Sequence, residues 1–213
     1  MNQKILFIGG WTRNNNSYKK LWQTAPEDYD LLFLPCGDVT DRKDHGSNAD
    51  FIKKYLADNN IDRCIIAGHS LGGGLGIEFA AENPETIEKL ILIDSSGIRS
   101  EQRFHEKLQS AARNQMIHFK HKAKENITTF ARILTKPITN FKSMKLAYSD
   151  DIKPKMKLVA SETVILWGEK DHMFPPSQAG QIHELIPNSK LIILPEMDHD
   201  WIIHTPELFW NNI

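Results

Sequence analysis

Short apolar runs recur along the chain, separated by longer stretches in which apolar and polar residues mix. Residues 4–8, 30–34, 63–67, 89–93, 163–167 and 190–194 each hold an almost unbroken run of Ile, Leu, Val, Phe, Cys or Ala. Runs of this length without alternation are the mark of strands covered on both faces, as in a parallel sheet. The intervening segments carry a helical period. Residues 18–22 form a short example. Ser47 and Asp50 make a capping-box pair, after which Phe51, Ile52, Tyr55 and Leu56 recur at helical spacing. Residues 71–82 are helix-forming through Leu75, Glu78, Phe79, Ala80 and Ala81 and stop before Asn83-Pro84. Ser177 is placed to cap a fourth helix, with Ile182, Leu185 and Ile186 turned inward before Pro187. Strands alternating with helices predict a three-layer α/β/α unit around a mainly parallel sheet of about six strands. In such sheets ligands gather at the carboxyl ends of the strands.

One region breaks the alternation. Between residues 101 and 150 no strand pattern occurs. Phe104, Leu108, Ala112, Met116 and Phe119, interrupted by polar Gln115, trace one amphipathic helix. Ile127, Phe130, Ile133 and Leu134 trace a second, ending at Lys136-Pro137, and Phe141, Met144 and Ala147 suggest a third. The reading is a helical cap over residues 100–155, inserted into a core made of residues 1–99 and 156–213. Ten Lys/Arg against four Asp/Glu within residues 101–150 fit a solvated outer face better than a cationic lid for an anionic substrate.

Composition narrows the classes of function. The chain has 213 residues, 40% of them hydrophobic, and a net charge of −1, which suits one enzyme-sized domain and gives no reason to expect nucleic acid or an anionic membrane as partner. Residues 1–8 read as a first strand and not as a signal peptide, and no apolar stretch is long enough to span a bilayer. A cytoplasmic setting follows, in which Cys36 and Cys64, both beside apolar runs, are buried free thiols. The Gly72-Gly73-Gly74-Leu75-Gly76 run matches neither dinucleotide nor P-loop spacing, and no His/acid pair has zinc spacing. Neither cofactor nor metal is expected.

Chemistry concentrates around Gly68-His69-Ser70-Leu71-Gly72. This G-x-S-x-G pentapeptide lies between a strand and a helix, so the chain must turn sharply at Ser70 and expose its hydroxyl at a helix N-terminus. A serine hydroxyl is a weak nucleophile that needs a base, and the base needs an acid to fix its tautomer. The fifth strand is followed by Glu169-Lys170-Asp171-His172, and the sixth by Glu196-Met197-Asp198-His199. Ser70, Asp171 and His199 thus stand in the order nucleophile, acid, base, each just after a strand. Asp94, after the fourth strand, is the alternative acid, and His204 the alternative base. His172 and His69 read as a loop residue and a packing residue, Trp201 as packing near His199. Asp198 and Asp200 flank the histidine without thereby gaining the required geometry.

Here the chain resembles the α/β-hydrolase superfamily. The matching residues are Gly68-His69-Ser70-Leu71-Gly72-Gly73, Trp167-Gly168-Glu169-Lys170-Asp171 with Phe174-Pro175, and His199 followed by Pro206-Glu207. The resemblance implies a compact α/β-hydrolase fold that lacks the further hairpin many relatives carry before this first strand. It implies a serine hydrolase with a Ser70–Asp171–His199 triad acting on a small-molecule ester, thioester or amide. Carbon–carbon cleavage, acyl transfer and a non-catalytic receptor are the alternatives. After the first strand many relatives have His-Gly where this chain has Gly9-Gly10-Trp11. The oxyanion donors are then the backbone N–H groups of Trp11 and Leu71, with Thr12 replacing Trp11 if the loop register shifts.

Overall fold

The computed structural model describes residues 2–40, 47–99 and 151–213; most of the segment expected as a cap lies outside them. Six strands form one sheet: β1 (Gln3–Ile8), β2 (Tyr29–Leu34), β3 (Cys64–His69), β4 (Ile87–Ile93), β5 (Thr163–Gly168) and β6 (Ser189–Leu194), in the spatial order β2-β1-β3-β4-β5-β6. Every pairing is parallel. The chain steps from β1 outward to β2, then crosses back over β1 to begin β3. The direction of winding therefore reverses between β1 and β3, and loops leaving their carboxyl ends diverge to form a crevice.

Along each strand, successive side chains enter opposite cores. Leu6, Ile8, Ile66, Leu90, Leu92, Ile165 and Trp167 pack on one face, beneath helices α3 (Asn48–Asp58), α4 (Leu71–Glu82) and α6 (Pro176–Leu185). Ile5, Phe7, Ile65, Ala67, Ile91, Ile93, Val164 and Leu166 pack on the other, with Tyr18, with Leu21 of α1 (Lys19–Gln23), with Trp201 of α7 (Trp201–His204) and with Phe209 of α8 (Glu207–Trp210). Burial on both sides is why the strands read as unbroken apolar runs.

Helix α4 runs through the centre, and its residues are buried almost all round, consistent with its uniformly apolar sequence. Helix α3 opens with the expected box: Ser47 Oγ accepts from Asp50 N–H at 3.0 Å, and Asp50 accepts from Ser47 N–H at 2.9 Å. A short helix α2 (Cys36–Thr40) follows β2, and α5 (Lys153–Met156) is tied to α4 by Lys155, whose ammonium lies 2.9 Å from both Glu78 and Glu82.

The expected cap at Ser177 is not made. Helix α6 starts two residues earlier than that cap would set, at Pro176, after an extended Pro175, and no side chain caps it. Proline satisfies the first-turn geometry without needing a capped N–H, which places Ser177 in the exposed first turn. Both cysteines are free and buried, and burial pushes each thiol up to about 12, leaving little thiolate for reaction.

Candidate active site

Strand β3 runs directly into the elbow. Ser70 takes φ 56° and ψ −120°, a region L-residues seldom occupy. Neighbouring backbone holds it there: Ser70 N–H donates to the Ile93 carbonyl at 2.9 Å, while the Ser70 carbonyl accepts from Gly73 and Ser96 N–H, both at 3.0 Å. The turn brings α4 so close to the end of β1 that a methyl on Gly72 would lie 2.2 Å from the Ile8 carbonyl oxygen. Only hydrogen fits there, which is the reason for glycine at that place in the pentapeptide.

Ser70, His199 and Asp171 meet although they come from three loops. His199 Nε2 lies 3.0 Å from Ser70 Oγ, and His199 Nδ1 lies 2.7 Å from Asp171 Oδ2. The other Asp171 oxygen accepts from Met173 N–H at 2.7 Å and Phe174 N–H at 2.9 Å, which fixes the carboxylate plane. The loops after β5 and β6 are joined directly as well. Glu169 N–H donates to Leu194 and Lys170 N–H to Met197, at 3.0 and 2.8 Å. Phe174 lies against the His199 ring, with centroids 5.4 Å apart. Burial works against a charge on His199, yet Asp171 outweighs it, and the imidazole is held above its ordinary pKa.

The other candidates stand elsewhere. His204 ends α7, and its carbonyl accepts from Lys20 Nζ at 3.3 Å. His172 is exposed. Asp198 Oδ1 accepts from Asp200 N–H, and Asp200 forms a two-oxygen ion pair with Arg13 at 2.8 and 2.7 Å. Trp201 packs in the core beneath the histidine loop.

Asp94 also comes close, but in another role. It is fully buried at φ 44° and accepts from Gly168 N–H at 2.8 Å. Among the described residues, its second oxygen and the Trp201 indole N–H face each other without meeting at full hydrogen-bond geometry. Burial and the charge of Asp171 push the Asp94 carboxyl well above the usual carboxylate range. The histidine nitrogen that Asp94 would need as the acid is already taken by Asp171.

Of the expected oxyanion donors, Leu71 is the first residue of α4, whose opening N–H groups have no acceptor within the helix. Trp11 follows Gly9-Gly10 at the end of β1. This loop lies against the elbow: a methyl on Gly10 would sit 3.3 Å from Ser70 Cβ. Thr12, the substitute, has φ 60°.

His69 is more than packing. It is buried, its Nδ1 lies 2.8 Å from the Tyr18 hydroxyl, and its Nε2 lies 2.9 Å from the His199 carbonyl oxygen. The sequence signal was the polar residue inside an otherwise apolar strand end, which has no reason to be histidine on packing grounds. His69, Asp94 and His199 offer ligand atoms within 4.8 Å of one another. All four ring nitrogens are nevertheless engaged in hydrogen bonds, so a cation would have to break the network to bind.

Comparison with known proteins identifies the fold family. The chain is 22% identical to Lipase 3 of Moraxella sp. (strain TA144) over 156 residues, covering 63% of this chain and 49% of the lipase. It thus spans about half the length of that relative. It is 26% identical to the pimeloyl-[acyl-carrier protein] methyl ester esterase of Nitrosospira multiformis over 175 residues, 70% of this chain and 66% of the esterase. The structure superposes on that of a bacterial membrane phospholipase A with TM-score 0.79 at 19% sequence identity, over 99% of this chain and 76% of the other. Residues 29–161, from β2 to the approach to β5, match the alpha/beta hydrolase fold model. With its parallel sheet, strained serine elbow and loops converging on one histidine, the chain belongs to the alpha/beta hydrolase fold family.

Proposed function

We propose that the protein is a serine hydrolase that cleaves a small carboxylic ester or related acyl compound through an acyl-enzyme on Ser70. The observation that carries this reading is the unbroken relay from Ser70 Oγ through both nitrogens of His199 to Asp171, at 3.0 and 2.7 Å. Ser70 Oγ attacks the carbonyl carbon while His199 Nε2 takes the hydroxyl proton. Asp171 holds the proton on Nδ1, fixing the tautomer, and stabilises the imidazolium once it forms. The N–H groups of Trp11 and Leu71 receive the oxyanion of the tetrahedral intermediate. His199 then gives its proton to the leaving oxygen, the acyl group stays on Ser70, and water activated by the same imidazole releases the acid. The lipase and esterase relatives favour an ester over carbon–carbon cleavage, which the same machinery can perform.

Fluorophosphonate labelling read by intact mass and peptide mapping tests this. One adduct on Ser70, lost in His199→Ala, supports an activated serine, and hydrolysis of p-nitrophenyl esters by the wild type supports ester cleavage. No adduct on the folded wild type would overturn the reading in favour of a non-catalytic receptor. The double variant Ser70→Ala/His199→Ala should be little worse than either single change, each costing on the order of 10⁶-fold in kcat, because the pair acts as a unit.

A further inference from the structure

The residue just before the elbow serine connects two parts of the site that the relay does not join. The His199 carbonyl can only accept, so His69 Nε2, 2.9 Å away, must carry the proton. His69 Nδ1 is then an acceptor, and the Tyr18 hydroxyl at 2.8 Å donates to it. The same hydroxyl oxygen accepts from Gly10 N–H at 2.8 Å. The directions along the chain Gly10–Tyr18–His69–His199 are consistent, with the Tyr18 hydroxyl both accepting and donating, and they leave a single tautomer of His69. His69 stays neutral: burial first, and then the neighbouring charge of His199, lower its pKa to about 3.

The ends of this chain are the loop after β1, which carries the Trp11 N–H, and the backbone of the base itself. The two loops are tied a second time where Arg13 grips Asp200, the residue after His199. Packing alone would be met by an apolar ring at position 69. The space is tight, since a methyl on Gly10 would approach His69 Nδ1 to 3.0 Å, and the His69 and His199 rings lie 5.1 Å apart between centroids. A buried imidazole in that space costs free energy unless both nitrogens are satisfied, and here both are.

We propose that His69 is a positioning residue: fixed to the elbow beside Ser70, it sets the distance of the oxyanion loop through Tyr18 and of the base through the His199 carbonyl. This rests on the hydrolase reading for its consequence in catalysis but not for its geometry. Misplacement of reacting groups by about 1 Å costs on the order of 10²-fold in rate, so a strut between donor and base acts on kcat more than on substrate affinity.

The test compares His69→Phe, which keeps a ring and removes both bonds, with Tyr18→Phe, which removes one hydroxyl and keeps the packing on Phe7 and Phe33. With p-nitrophenyl acetate as probe, each should lower kcat roughly 10- to 100-fold with little change in KM, and the double variant should be no worse than the worse single. The proton NMR signal of the imidazole N–H between His199 and Asp171 should shift or broaden in both. An unaltered kcat and unaltered signal in Tyr18→Phe, with only the unfolding midpoint lowered, would overturn the proposal; so would additive losses. If His69→Phe does not fold, Tyr18→Phe decides alone. A wild type inert to ester and fluorophosphonate, but whose His199 signal still responds to Tyr18→Phe, would remove the hydrolase reading and leave the strut standing.

Discussion

Ser70, buried at the elbow, is held under backbone strain, and that strain is separable from its chemistry. At φ 56° and ψ −120° a β-carbon is unfavourable, whereas glycine is at ease. Ser70→Gly should therefore be more stable than Ser70→Ala by about 1 kcal/mol in urea unfolding, both being inactive. His199 adds a pH dependence of definite sign. Only the neutral imidazole can accept the serine proton, and its pKa is raised above the ordinary value of 6.5. The acid limb of kcat/KM should accordingly have its midpoint above that value. Stability runs the other way: the pairing with Asp171 favours the folded state below the unfolded histidine pKa, and that contribution is lost as pH rises through the folded one. Asp171→Asn should cut kcat about 10⁴-fold and move the limb to lower pH, because the main charge opposing burial is then gone. Asp94→Asn leaves the bond between Asp171 and His199 Nδ1 in place and should lower kcat far less than Asp171→Asn. If Asp94→Asn proves the crippling change, Asp94 and not Asp171 is the acid.

Among the elements, α3 offers the cleanest test of a local rule, since its reciprocal bonds between Ser47 and Asp50 lie at an exposed end away from the site. Ser47→Ala should cost about 1 kcal/mol of stability in urea unfolding and leave the rate of phosphonate labelling unchanged. That box was legible in the sequence because capping depends on residues three apart. The strands were legible for a similar reason: a run such as Cys64-Ile65-Ile66-Ala67 carries its burial on both faces in its own composition. Ser177 misled because it is a good capping residue standing after two prolines that already set the helix start. Helix α2 is too short to show a period. The meeting of Ser70, Asp171 and His199 could be anticipated from their positions after strands β3, β5 and β6. The work of His69 could not, because Tyr18 and His199 lie 51 and 130 residues away and nothing local marks them as partners. The surroundings of Asp94 were hidden for the same reason: burial and a charge on another loop raise its pKa.

At the scale of the whole molecule, the sheet separates two apolar layers, and the site sits at the edge where its strands end between them. Ile8 and Ile91 sample the two layers from strands two places apart, one packing beneath α4 and the other on the opposite face. Both are fully buried. Removing one methyl group from either should cost about 0.5–1.5 kcal/mol, and because their side chains share no partners across the sheet the two costs should add to within about 0.5 kcal/mol. Their effects on function should differ. The carbonyl of Ile8 abuts Gly72 at the elbow, and the residue leads straight into the Gly9-Gly10-Trp11 loop, so Ile8→Val loosens a contact that sets where Ser70 meets this loop. Ile91 is two residues short of Ile93, whose carbonyl receives the Ser70 N–H, and its side chain faces away from α4. Phosphonate labelling should slow in Ile8→Val and hold its wild-type rate in Ile91→Val at equal loss of stability. Equal slowing in both would mean that labelling follows global stability, and that the elbow draws its geometry from the sheet as a whole and not from the layer beneath α4.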